Sequence, residues 1–184
     1  VLDLHTVAQR GDDELLLYVD YNVVHEGPFY AFDGLAREGR KVMRPSQTVG
    51  FADHYVPTVG RKLGTVGIAD PEARRMVERL QQNAERTGIL HFGISHPQQG
   101  IMHVVVPELA MAHPGMVIVG SDSHTCTNGA FGALGFGVGA SQIKHVLATQ
   151  TIWFHRPRTL RITVSGSLGR GVSAKDLALA IISR

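Results

Sequence analysis

The sequence predicts an α/β fold with a largely parallel sheet flanked by helices, and three observations carry that prediction. Short apolar runs (Leu15–Val19, Gln47–Ala52, Ile89–Phe92 and Met116–Val119) alternate with longer amphipathic stretches, the strand–helix–strand order of a parallel sheet. Several of these runs stop abruptly at polar residues, as buried strands do where they emerge at a sheet edge. The clearest helix is bounded by a start and a stop signal of its own: Asp70 caps it, Pro71 occupies the first turn, and Gly88 ends it after Thr87.

Taken in order, Gly11-Asp12-Asp13 is a turn that opens the strand at Leu15, and Pro28 starts a helix through Leu35. Arg40–Met43 and Gln47–Ala52 read as two strands on either side of Pro45. Tyr55 to Asp70 has several glycines and no period, and is expected to be a loop. The Asp70 helix buries Met76, Val77, Leu80 and Ala84 on one face. Ile101 to Leu109 reads as mostly helical, Ser141 to Thr151 as a helix with Ile143, Val146 and Leu147 inward, and Thr159–Val164 as a half-exposed strand by its alternation. Ser173 and Asp176, three apart, form a capping box for a last helix. Both ends of the chain interrupt ordinary patterns, and are expected to be cuts through a larger protein.

Composition narrows the function classes. Of 184 residues 43% are hydrophobic and 18% charged, ordinary for a soluble globular chain, and a net charge of +2 without any polybasic block gives no reason to expect nucleic acid or a membrane surface as partner. No run is apolar enough to span a bilayer, and a cytoplasmic location is expected. The single cysteine, Cys126, excludes an internal disulfide and any all-cysteine metal site built from this chain. Ten histidines and 21 glycines point to imidazole chemistry and many tight turns.

Three strings carry candidate chemistry. Asp122-Ser123-His124-Thr125-Cys126-Thr127-Asn128 follows the Met116–Val119 strand, so a carboxylate, a hydroxyl and an imidazole arrive together where ligands of open α/β sheets usually sit. Turn amides alone would also use such an Asp-Ser pair. Asp53-His54 ends another apolar run; a carboxylate beside an imidazole orients it and raises its pKa, which suits proton donation, but neighbouring strand residues face opposite ways, so pairing requires a turn. His103 lies among Ile101, Met102, Val104 and Val105, where a hydrogen-bonded core histidine is equally at home. The glycine run Gly132, Gly135, Gly137, Gly139 lacks the Gly-Lys-Ser/Thr of a phosphate loop.

In order along nearly the whole chain, Val24-His25-Glu26, Asp53-His54, His96-Pro97-Gln98-Gln99-Gly100-Ile101-Met102-His103, the Asp122–Thr127 string, Gln142–Gln150 and Ala174-Lys175-Asp176 resemble the aconitase superfamily, and within it the isopropylmalate dehydratase branch. The resemblance implies that residues 1–184 are the N-terminal part of an aconitase-like multi-domain large subunit. The implied activity is a hydro-lyase interconverting 2-isopropylmalate and 3-isopropylmalate, in leucine biosynthesis. It further implies a 4Fe-4S cluster in the complete enzyme, whose ligand cysteines lie outside this chain, and a small subunit whose swivelling domain supplies the base. His54 would protonate the departing hydroxyl with Asp53 behind it, and His103 would pair with Asp122 beside the cluster. Ser123 and His124 would be pocket residues, and His25 a substrate contact where aconitases proper have glutamine. The family's substrate-binding asparagine aligns with Thr127, while Asn128 has the matching chemistry one residue later; both stay open. The isolated chain is expected to be inactive. Other readings of the same strings are another dehydratase of the superfamily (homoaconitase, or a dimethylmalate or methylmalate type), a non-catalytic binding module, and a mononuclear metal hydrolase using His54, His103 and His124.

Overall fold

The α/β expectation holds. A computed structural model describes residues 1–184, in which five parallel strands form the main sheet and three antiparallel strands form a second. The second sheet comprises β1 (Thr6–Arg10), β2 (Glu14–Tyr18) and β8 (Thr151–His155), in the order β1-β2-β8. The main sheet takes β3 (Tyr21–Val24), β4 (Thr48–Phe51), β5 (Leu90–Phe92), β6 (Val117–Gly120) and β7 (Leu134–Gly137), in the order β5-β4-β3-β6-β7.

Alternation through the central strands divides the core. Val23 joins Val49, Phe51, Ile118 and Met102 on the face covered by α4 (Met102–Glu108). Val24 turns the other way, onto Phe32 and Leu35 of α2 (Phe29–Arg37), Leu80 of α3 (Pro71–Thr87), and Ile143 and Leu147 of α5 (Ala140–Thr149). Leu15, Leu17, Val117, Val119, Val146 and Ile152 join the two sheets. All are almost solvent-free, and each fully buried side chain of this kind contributes about 1.5–3 kcal/mol.

The predicted caps are present. Asp70 accepts the Glu72 amide at 2.7 Å, Gly88 takes the left-handed conformation at φ 74°, and Ser173 and Asp176 bond reciprocally at the start of α6 (Ala174–Ile182). Helix 101–109 and the Tyr55–Asp70 loop, with a 3-10 turn at Arg61–Gly67, also stand as expected.

Other expectations need correction. Arg40–Met43 is not a strand: its Met43 amide donates to the Leu147 carbonyl of α5 at 2.8 Å and Val42 packs into the helical layer, away from any sheet edge. Thr159–Val164 is not a strand either; its residues are exposed, with no partner ladder to bury either side of the alternation. The helix expected to reach Thr151 ends at Thr149, because Gln150 turns left-handed at φ 55° and Thr151 begins β8. The short α1 (Leu2–His5), and β1, β3 and β7, had no place in the sequence reading.

Topology places the site. From β3 the chain moves outward on one side through β4 and β5, then returns across the sheet to β6 and moves outward on the other side to β7. The switch therefore falls between β3 and β6, where the carboxyl ends of neighbouring parallel strands leave a crevice.

Candidate active site

Three adjacent strands, β4, β3 and β6, deliver the polar strings to that crevice. His25 and Glu26 follow Val24, Asp53 and His54 follow Phe51-Ala52, and Ser121 and Asp122 follow Gly120. The chain does turn after Ala52: the His54 Nδ1 lies 2.5 Å from Asp53 Oδ1, so the neighbouring side chains converge. The second Asp53 oxygen accepts the Met102 amide at 2.8 Å, tying the turn to the start of α4.

Asp122 sits at the centre. One of its oxygens is 2.7 Å from His103 Nε2 and accepts the His124 amide at 2.8 Å; the other is 3.3 Å from His54 Nε2. Asp53, His54 and Asp122 thus form a carboxylate–imidazole–carboxylate chain, with His103 at its far end. Burial alone would raise the Asp122 pKa, but the His103 imidazole, the His124 amide and the His54 imidazole outweigh it and hold the carboxyl below its usual range. The hydrogen bond to Asp53, against partial burial, raises His54 above its ordinary 6.5. His54 is therefore a cation to higher pH than a free histidine, flanked by two carboxylates.

An open cleft of about 370 Å³ exposes this chain of groups, lined by Asp53, His54, Ile101, His103, Asp122, His124 and Thr127. Thr127 faces it, whereas Asn128 is buried and donates to the Thr125 carbonyl at 3.0 Å. Ser123 is exposed and lies outside the lining of the cleft. His25 lies under the cleft floor, its ring stacked on that of His54 at 3.9 Å between centroids, and it accepts the Gly27 amide at Nδ1. Burial and the neighbouring His54 hold its pKa below 6.5. The structure brings together Asp53, His54, His103, Asp122, His124, His25 and Thr127, and leaves Asn128 in the packing of the loop and Ser123 at its edge.

Glu26 had no role in the sequence reading beyond its place in a motif. It is fully buried, accepts the amides of His54 and Tyr55 at 3.2 and 3.4 Å, and is raised from 4.5 to about 7 by burial above all. A buried carboxyl after an apolar strand has no distinguishing sequence mark, since the same residue order serves at any exposed strand end. Its linkage to stability has a definite sign. The folded chain holds this proton more tightly than the unfolded chain, so its contribution is complete below pH 4.5 and is lost as pH rises to about 7, by about 3 kcal/mol. Denaturant unfolding at several pH values across that window should show this loss in the parent chain and not in E26Q, which has no carboxyl to titrate there.

His25, Glu26 and His54 place one donor atom each within 4.8 Å of one another. The two imidazoles lie nearly parallel, at 19°, with their nitrogen lone pairs in separate planes, and the Glu26 oxygens are already taken by amides; the geometry does not suit a shared cation. For a 4Fe-4S cluster the donor set within the chain also falls short. Cys126 is the lone thiol, exposed on the loop with its Sγ toward the Ser123 carbonyl, and such clusters are held by several thiolates. No helix is long and apolar enough to cross a membrane.

Two comparisons bear on this arrangement. The sequence pattern of the aconitase family (aconitate hydratase) matches residues 1–184. The chain is 48% identical over 182 residues to the 3-isopropylmalate dehydratase large subunit of Oceanobacillus iheyensis, a match covering 98% of this chain and 38% of that protein. The chain thus spans well under half the length of that relative.

Proposed function

The chain belongs to the aconitase family, and from that premise we propose that it supplies the proton-handling half of a dehydratase site acting on a hydroxy-dicarboxylate, 2-isopropylmalate to 3-isopropylmalate, as the N-terminal part of a large subunit. The observation that carries this reading is the Asp53–His54–Asp122–His103 chain at the switch point of the sheet, open to one cleft. Loss of water from a hydroxy acid requires a proton for the departing hydroxyl. His54, whose flanking carboxylates favour the protonated ring and which is exposed in the cleft, is the group placed to give it. Asp53 orients the ring, and Asp122 faces its other nitrogen. His103 fixes Asp122, His124 and Thr127 line the cleft wall, Ser123 on the exposed loop would bind a substrate carboxylate as the family resemblance implies, and His25 supports the His54 ring by stacking on it.

The 4Fe-4S cluster usual in the family finds no ligand set in these residues, whose only thiol is Cys126. The remaining parts of the site belong, in this reading, to the rest of the large subunit and to a small subunit carrying the base. A place in leucine biosynthesis and a cytoplasmic location are part of the same proposal, and rest on the resemblance of the sequence strings to the isopropylmalate dehydratase branch.

The test pairs the 184-residue chain with a complete enzyme built on it. The isolated chain, reconstituted anaerobically with iron and sulfide, should take up no cluster by its visible absorption and turn over no substrate. The complete enzyme with its small subunit should dehydrate 2-isopropylmalate in preference to homoaconitase and dimethylmalate- or methylmalate-type substrates. Preference for one of the latter would keep the proton chemistry and replace the substrate. Turnover by the isolated chain would overturn the division of the site, and a complete enzyme inert to every substrate would leave a binding module.

A further inference from the structure

The Ala52 amide is the last on this side of β4 to reach a neighbouring strand, donating to the Phe92 carbonyl at 3.1 Å, and the amides of His54 and Tyr55 in the turn that follows lie beyond the ladder. Both are accepted by the two oxygens of Glu26, from the neighbouring strand end. A side-chain amide has a single acceptor oxygen and would turn its NH2 toward one of these donors, so a carboxyl is the group that accepts both, although burying its charge is costly unless the charge is paired. Glu26 has no cation beside it. His25 Nδ1 is 3.9 Å away but accepts the Gly27 amide, which puts that ring's proton on Nε2 and leaves nothing to donate to Glu26. The ionisable groups around it are His25, Asp53 and His54, and the Glu26 charge is among those that raise the His54 pKa.

We infer that Glu26 is a positioning residue for His54: its buried carboxyl accepts the His54 and Tyr55 amides and so clamps the turn that lets Asp53 and His54 converge, with one of its oxygens within 4.8 Å of a His54 ring nitrogen. The clamp acts through backbone, not through the substrate, and it couples the strand end of β3 to the acid on β4. Its own ionisation close to neutral pH makes the coupling conditional, because the charge that favours the His54 cation is itself lost as Glu26 gains a proton. The assignment of His54 as the proton donor rests on the function proposed above; the clamp itself does not.

Imidazole nuclear magnetic resonance of the 184-residue chain tests it without substrate, cluster or partner. In E26Q, nearly isosteric and neutral, the His54 imidazole should titrate at lower pH than in the parent while His103 stays in place. A folded E26Q in which His54 titrates unchanged overturns the inference. Should E26Q not fold by circular dichroism, the parent chain decides. Its Tyr55 amide proton should shift as Glu26 ionises, and a Tyr55 amide that stays fixed through the whole pH titration overturns the clamp. In the complete enzyme E26Q should lower kcat about 10- to 100-fold with KM little changed, and move the pH limb belonging to His54 downward. Unaltered kcat and pH profile beside a shifted His54 titration would retain the clamp and remove His54 from the reaction, so the two readings fail separately.

Discussion

Replacing His54 by alanine should lower kcat of the complete enzyme by about two to four orders of magnitude, the usual worth of a positioned general acid. The chain itself should remain folded. The His54 side chain is 38% exposed, its ring stacks on His25 and touches Tyr55 at a tilt, and its backbone bond to Glu26 survives the substitution. Asp53 would be a poorer choice, because its second oxygen holds the Met102 amide at the start of α4, and an Asp53 variant mixes lost catalysis with a loosened helix. The pH dependence separates chemistry from damage. The raised His54 pKa keeps the acid form present above pH 6.5, so parent activity should fall as pH rises through that raised value. In H54A the limb should disappear while circular dichroism is unchanged. A variant within tenfold of the parent would move the acid role elsewhere in the cleft, His124 being the next imidazole on its wall.

The stretches most legible in the sequence were those where one physical rule acts locally. Asp70, Pro71 and Gly88 bound α3 because caps are satisfied within a few residues, and Asp53-His54 and Asp122 could be placed at strand ends because the apolar runs before them stop short. What lay hidden depends on partners far along the chain. Thr159–Val164 alternates like a strand, yet alternation forms a ladder only where another strand is adjacent. β7, written Leu-Gly-Phe-Gly, carries little strand propensity and is held by pairing with β6 and by the loop before it. β1 is almost wholly exposed and has no apolar face to announce it. Glu26 is the sharpest case: its amide partners lie 28 and 29 positions later, and only the fold turns an unremarkable glutamate into a buried carboxyl beside the site.

The glycines of β7 lead to the second large effect, this one on stability. Gly137 pairs with Gly120 in register, and a Cβ there would collide with the backbone carbonyl of Asp122 and lie 3.0 Å from Ser123 Cα. No side-chain rotation can relieve contacts made with backbone. Gly137→Ala should therefore cost about 1–3 kcal/mol and lower the unfolding temperature by several degrees. Gly129→Ala is the control in the same loop. Its Cβ would meet nothing within 4 Å, so the substitution should be neutral within about 0.5 kcal/mol. The loss in Gly137→Ala should also reach the site, since the only relief is movement of the Asp122 backbone, which carries the carboxylate bonded to His103 and facing His54. Histidine resonances of the folded fraction report it: His103 and His54 should shift in Gly137→Ala and hold in Gly129→Ala. Equal stability for the two variants would show that the loop and β7 can separate at little cost, and that the glycine-rich run does not set the position of Asp122.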